Sequence, residues 1–148
     1  MFGRNKPIED PQLGTLTKSG GKWKGRISFG PHRDVALRLS GGKEPDAAAL
    51  ELARDLPARY EALRPQIARE LFEHAEPYLE DLSPPIRLTT PEDVWPHVQA
   101  EFVRVEPLRG SPAPGPILEI AFTTAWDEEH TVAARIQDWR VFELCGSV

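Results

Sequence analysis

Trp23-Lys24-Gly25-Arg26-Ile27-Ser28-Phe29 is the stretch that decides the fold class. Trp23, Ile27 and Phe29 fall on one face at a period of two, with Gly25 between them, while Lys24, Arg26 and Ser28 fall on the other. Side chains alternate across a β-strand, so this pattern is that of a strand buried on one side and wet on the other. Upstream, Ser19-Gly20-Gly21 is a hairpin turn signal, because glycine takes the positive φ that tight turns need, and Leu13 to Thr17 supplies a short partner strand. Downstream, Gly30-Pro31-His32 turns the chain, and Val35, Leu37 and Leu39 alternate again between Asp34 and Leu39. Residues 12–40 are therefore expected to form a β-meander.

After Ser40-Gly41-Gly42 the period changes. Leu50, Ala53 and Leu56, then Tyr60, Leu63, Ile67, Leu71 and Tyr78, recur at the three-to-four spacing of a helix face. Pro45 and Asp46 mark the start. Pro57, Pro65 and Pro77 lie inside the pattern, and an interior proline removes a backbone donor. The segment 45–81 is thus expected as two or three helical pieces, with breaks near 57 and 64 and a kink near 77. Ser83-Pro84-Pro85 is a linker, and Thr90-Pro91-Glu92-Asp93 is a helix start that Pro96 limits to one or two turns. The last third alternates once more: Val98 to Pro107, Ile117 to Thr124, His130 to Ile136 and Trp139 to Leu144, with turns at 126–129 and 137–138. Strands, helices and strands in that order give an α+β class, two antiparallel β-meanders with the helices packed on one face of the sheet.

The 148 residues suit one domain, 1–148, with 1–11 expected as a flexible N-terminal arm. A chain of this size buries about 68–70% of its unfolded surface, enough for a core without disulfides or metals. The single cysteine, Cys145, cannot close an internal disulfide, and residues 1–11 have no apolar run of a signal peptide, so the cytoplasm is the expected compartment. No apolar run is long enough to cross a membrane as a helix. The net charge is −5, but Arg4, Lys6, Lys18, Lys22, Lys24, Arg26, Arg33 and Arg38 face only Glu9, Asp10 and Asp34 in the first forty residues. The overall acidity argues against nucleic acid as a partner. A local basic stripe of Lys22, Lys24 and Arg26 beside Lys18 and Trp23 is the one feature that would suit it.

The densest polar cluster is Asp127-Glu128-Glu129-His130, directly after Trp126. Three carboxylates and an imidazole could hold a divalent cation or serve acid–base chemistry. Successive side chains of an extended segment point to opposite faces, however, and no spaced ligands with a glycine follow. A solvated or partner-binding tip is the simpler reading. On it, Trp126, Asp127, Glu128, Glu129 and His130 form a partner-binding surface for a basic protein, Trp126 adding apolar contact to the charge. Trp126 and Trp139, at opposite ends of their hairpin, also suit plain core or edge packing. The competing reading is an enzyme or small-ligand site assembled around His130 and Glu128, with His74 and Glu73 as further suspects. His74 lies on the apolar helix stripe and reads as a core-edge residue. His32 and His97 have no partner at metal-ligand spacing, so neither metal nor cofactor is expected. Cys145 has no identifiable base, and the nucleophile-elbow, dinucleotide and phosphate-loop motifs are missing, so no catalytic residue is assigned.

The run Trp126-Asp127-Glu128-Glu129-His130 with the ending Gly146-Ser147-Val148 resembles a group of small bacterial proteins of an uncharacterised domain family. Asp10-Pro11-Gln12-Leu13-Gly14 and the strand with Trp23, Gly25 and Phe29 point the same way. The resemblance spans nearly the whole chain and implies a compact domain with no assigned activity, substrate or cofactor. Some similar small acidic domains look like immunity proteins of toxin systems, which implies a non-catalytic binding or accessory role.

Overall fold

A computed structural model describes residues 6–108 and 111–146. Among the described residues eight strands form one sheet in chain order: β1 (Ile8–Asp10), β2 (Gly14–Ser19), β3 (Lys22–Phe29), β4 (His32–Leu39), β5 (Val98–Glu106), β6 (Ile117–Thr124), β7 (Asp127–Gln137) and β8 (Arg140–Gly146). Neighbours are antiparallel except β4 and β5, which run parallel, with Ala36 opposite Phe102 and Leu39 opposite Val105. A parallel pair cannot be joined by a tight turn. Here the connection is the helix α1 (Ala47–Leu79) followed by a 3₁₀ segment, Pro91–His97. The two meanders thus meet edge to edge in one α+β sheet, and α1 packs against β3 and β5 to β8.

The apolar alternation read from the sequence is the core. Trp23, Ile27 and Phe29, then Val35, Leu37 and Leu39, then Val103 and Val105, Leu118, Ile120 and Phe122, and Val132, Ala134 and Ile136 are all buried on the helix side. The helix answers with Ala49, Ala53, Leu56, Tyr60, Leu63, Ile67, Leu71 and Ala75.

Two expectations are corrected. The helix is not in pieces: α1 is one span of 33 residues, about 50 Å long, with Pro57, Pro65 and Pro77 inside it. All three prolines are exposed, and of the carbonyls they leave without a helical donor, those of Glu61 and Glu73 belong to exposed residues while that of Ala53 lies on the buried stripe. The buried stripe is unbroken on the other side, and its burial outweighs three lost backbone bonds. The N-terminal segment is not simply an arm. Ile8, Glu9 and Asp10 pair with Leu16, Thr15 and Gly14, and the buried Asp10 carboxylate anchors the strand. It accepts the backbone N–H of Gln12 at 3.0 Å and of Leu13 at 2.9 Å, and both Nε and Nη2 of Arg54. The Arg54 hydrogen bond, against the cost of burial, holds Asp10 below the usual carboxylate range. Residues 1–5 of the expected arm lie outside the described residues.

The sheet face away from the helix carries one row of charges in register. Lys24, Arg38, Arg104, Glu119, Arg135 and Glu143 stand opposite one another from β3 to β8. Glu119 is fully buried between Arg104, 2.7 Å away, and Arg135, 2.9 Å away. Arg135 also reaches Glu143 at 3.2 Å. Arg38 lies over the Phe102 ring. Of the strip that would suit nucleic acid, Lys22, Lys24 and Arg26 share the outer face of β3, Lys22 paired with Glu106 and Arg26 beside Asp34, while Trp23 is buried on the other face.

At the last hairpin, Asp138 and Trp139 have φ of 52° and 59°, so both central residues of the turn are left-handed. Asparagine and glycine are the usual occupants, and a bulky residue there costs of order 1–3 kcal/mol. Beyond it, Phe142 is an extra residue in β8, because Arg135 stands opposite Glu143 while Ile136 stands opposite Val141. The Val141 N–H donates to the Gln66 side-chain carbonyl at 3.0 Å.

Candidate functional site

The corner between β6 and β7 is built by a register change. Thr123 stands opposite Thr131, yet Thr124 stands opposite Asp127. Glu128, Glu129 and His130 therefore have no residue across from them and project as a bulge. The turn itself is Ala125-Trp126, and β7 already begins at Asp127, so the turn expected at 126–129 lies earlier and is tighter. Thr124 holds it, its hydroxyl oxygen accepting the Asp127 N–H at 3.2 Å. Ala125 N–H donates to the His97 carbonyl at 2.8 Å, tying the corner to the end of the 3₁₀ segment.

The corner faces two ways. Trp126 is turned inward and is only 2% exposed, so it does not stand out in water as the partner-surface expectation required. Burial obliges the indole N–H to find an acceptor, and it donates to His74 Nδ1 at 3.0 Å. That bond fixes His74 with its Nδ1 unprotonated. Burial pulls the His74 pKa down, against the opposing pull of Asp127. His74 is thus the core-edge residue the helix stripe implied. Glu128, Glu129 and His130 are exposed, as expected.

Asp127 stands between the inward and outward halves. His130 Nδ1 lies 3.0 Å from its carboxylate, and the Tyr78 hydroxyl bonds to it as well. Burial pushes Asp127 up, but the hydrogen bond and charge of His130, with the Tyr78 bond, bring it below the ordinary carboxylate value. The negative charge of Asp127 in turn raises the Tyr78 phenol. The carboxylate between His74 and His130 is therefore Asp127. Glu128, which the enzyme reading paired with His130, makes no ion pair among the described residues, and Glu73 points to solvent.

Beside the corner lies a cavity of about 700 Å³. Its walls are Tyr78 and Leu82 from the end of α1 and beyond, the segment Ser83–Ile86, His97, and Ala125 to Glu129. A smaller hollow of about 350 Å³ lies on the other side of Glu128, between Pro96, Gln99 and Thr123. Trp126 is part of the wall of the larger cavity, so its role at this place is to shape a depression. No pattern in the sequence points to this: Tyr78, Ile86, His97 and Trp126 are far apart along the chain, and only the fold brings them together. No group of three or more His, Cys, Asp or Glu side chains able to hold a metal ion occurs among the described residues.

A second aromatic cluster lies deeper. His32 Nε2 is 2.9 Å from the Tyr60 hydroxyl, and Phe29, Trp95 and Phe122 pack around the pair. Trp95 joins the 3₁₀ segment to the sheet through its ring contacts with His32 and Phe122. Burial lowers the His32 pKa and raises that of Tyr60, so both are neutral near pH 7.

No helix among the described residues is long and apolar enough to cross a membrane. No curated protein and no solved structure gives a significant match to the chain. Residues 12–147 match the profile of a domain of unknown function, DUF6985, which extends from the second strand to the end of the last and takes in both the bulged corner and the cavity beside it. The chain is a member of the DUF6985 family.

Proposed function

We propose that this chain is a non-catalytic protein-binding module that receives a basic segment of a partner at the 125–130 corner. The observation that carries it is the bulge. Glu128 and Glu129 are held out of register, exposed, and without a salt bridge among the described residues, at the mouth of a cavity walled by Leu82, Ile86 and Trp126. Carboxylates there steer a cationic segment and set its register, and the apolar wall takes the side chain beside the charge. Asp127, already engaged by His130 and Tyr78, shapes the rim rather than supplying free charge. An immunity or accessory role, as the resemblance implies, is the form such a module would take.

The test is capture from native cell extract with the wild-type chain and with an Asp127/Glu128/Glu129→Ala triple variant. A protein retained by the first and lost by the second, through contacts that hydrogen exchange maps to Tyr78, residues 82–86 and 125–130, supports the reading. Identical profiles from the two baits, or no retained protein, refute it.

A further inference from the structure

A second cavity, of about 420 Å³, lies at the other end of the helix, between α1, the 114–116 segment and the β7–β8 turn. From Asp55 to His74 the helix rises about 30 Å, so this cavity and the acidic corner are separate places. One wall is the indole of Trp139, half-buried and presented by the left-handed turn described above. Leu52 provides an apolar floor, and three exposed carboxylates, Glu51, Asp55 and Asp138, stand around it. None of the three forms a salt bridge among the described residues, although the Glu51 charge acts on Arg54, which is committed to Asp10. Among the described residues the sole cation in the wall is Arg59, and its guanidinium lies over the Trp139 ring, 5.3 Å from the centroid. The cavity thus already shows what its aromatic wall attracts, and among the described lining residues the carboxylates outnumber the cation.

We propose that this cavity binds a small organic polycation, an aliphatic amine with two or more ammonium groups. The chemistry of the lining calls for that occupant: ammonium groups for separated carboxylates, an alkyl spacer for Leu52, and a cation for the indole face. A bare metal ion would use the carboxylates alone and leave the ring and the apolar floor unused. Arg59 is an internal competitor for the same ring face.

Isothermal titration with spermidine at physiological ionic strength tests this on the full chain. One saturable site per chain is expected. Its affinity falls about tenfold or more in a Glu51→Gln/Asp55→Asn/Asp138→Asn triple variant, rises in Arg59→Ala, and is unchanged in Glu128→Gln/Glu129→Gln, which alters the distant corner. All substituted side chains are exposed, and asparagine suits the left-handed position of Asp138, so folding is preserved. Four results overturn the proposal: no saturable binding at millimolar spermidine, binding that survives the triple variant, weaker binding in Arg59→Ala, or tighter binding of an arginine-containing peptide than of the free amine.

Discussion

Replacing Gly30 by alanine puts a methyl group where Tyr60 already stands. Gly30 has φ of 54°, and a Cβ built on it would lie 2.5 Å from Tyr60 Cε2 and 2.6 Å from Cδ2. The ring cannot withdraw: Tyr60 is 1% exposed, packs edge-on against Phe29, and is held through its hydroxyl to His32. Two costs add. The left-handed backbone costs an L-residue roughly 1–2 kcal/mol, partly offset by about 0.4–1 kcal/mol from the stiffer unfolded chain. Overpacking a filled core adds about 1–3 kcal/mol. The sum is about 2–4 kcal/mol, or about 4–16 °C in Tm at about 2–4 °C per kcal/mol. Gly20 is the internal control, with φ of 60° and nothing within 4 Å of its added Cβ. Gly20→Ala carries only the backbone cost, about 1 kcal/mol or less. Urea unfolding of the two variants separates the contributions, and a Gly30→Ala/Tyr60→Leu double variant should recover part of the loss through coupling of the two sites. Equal stabilities for Gly30→Ala and Gly20→Ala would show that Tyr60 does not sit over Gly30, and the packing of the helix on β3 and the β3–β4 turn would have to be redrawn.

Stability should fall on acidification below about pH 6.5, the unperturbed histidine value. His74 is held neutral by burial, the larger cause, against the pull of Asp127, so its folded pKa lies below the unfolded one and the unfolded chain binds the extra proton in between. The contribution is complete above that value and is lost as pH drops through the folded pKa. Urea midpoints measured from about pH 5 to 8 should show a shallower slope in His74→Gln, with His32 supplying the remainder; an unchanged slope would mean that burial does not hold His74 neutral. Glu119→Ala should cost about 3 kcal/mol in denaturant unfolding, because it leaves Arg104 and Arg135 facing each other across the gap. Glu119→Gln, which keeps an acceptor, should cost less, and a loss below about 1 kcal/mol for the alanine variant would mean that the row of charges is not closed through Glu119.

Trp23, Ile27 and Phe29, and likewise Val35, Leu37 and Leu39, could be assigned to the buried face from the sequence, because a period of two has one meaning when polar residues fill the gaps. The joining of β4 to β5 could not, since alternation tells which side faces the core and nothing about which strand lies alongside. The prolines of α1 misled because a proline was weighed as a local break, whereas the continuous stripe from Ala49 to Ala75 decides the matter through tertiary burial. At the corner, composition points to a turn from Trp126 to Glu129. Thr124 sets the turn earlier, and Trp126, which in the sequence suits either a contact surface or core packing, turns inward because its indole N–H finds an acceptor on the helix. Neither cavity could be seen, because Tyr78 and Ile86 meet His97 and Trp126, and Glu51 meets Trp139, only once the helix is laid across the sheet.

The extra Phe142 and the Gln66 side chain on the Val141 amide bear on how copies of this molecule behave at high concentration. An outermost strand with regular spacing is a template onto which another chain can zip its own backbone. Here one rim is only three residues long, and the other is twisted off its repeat and has one donor already taken. Growth of the sheet from chain to chain is thereby discouraged at both ends.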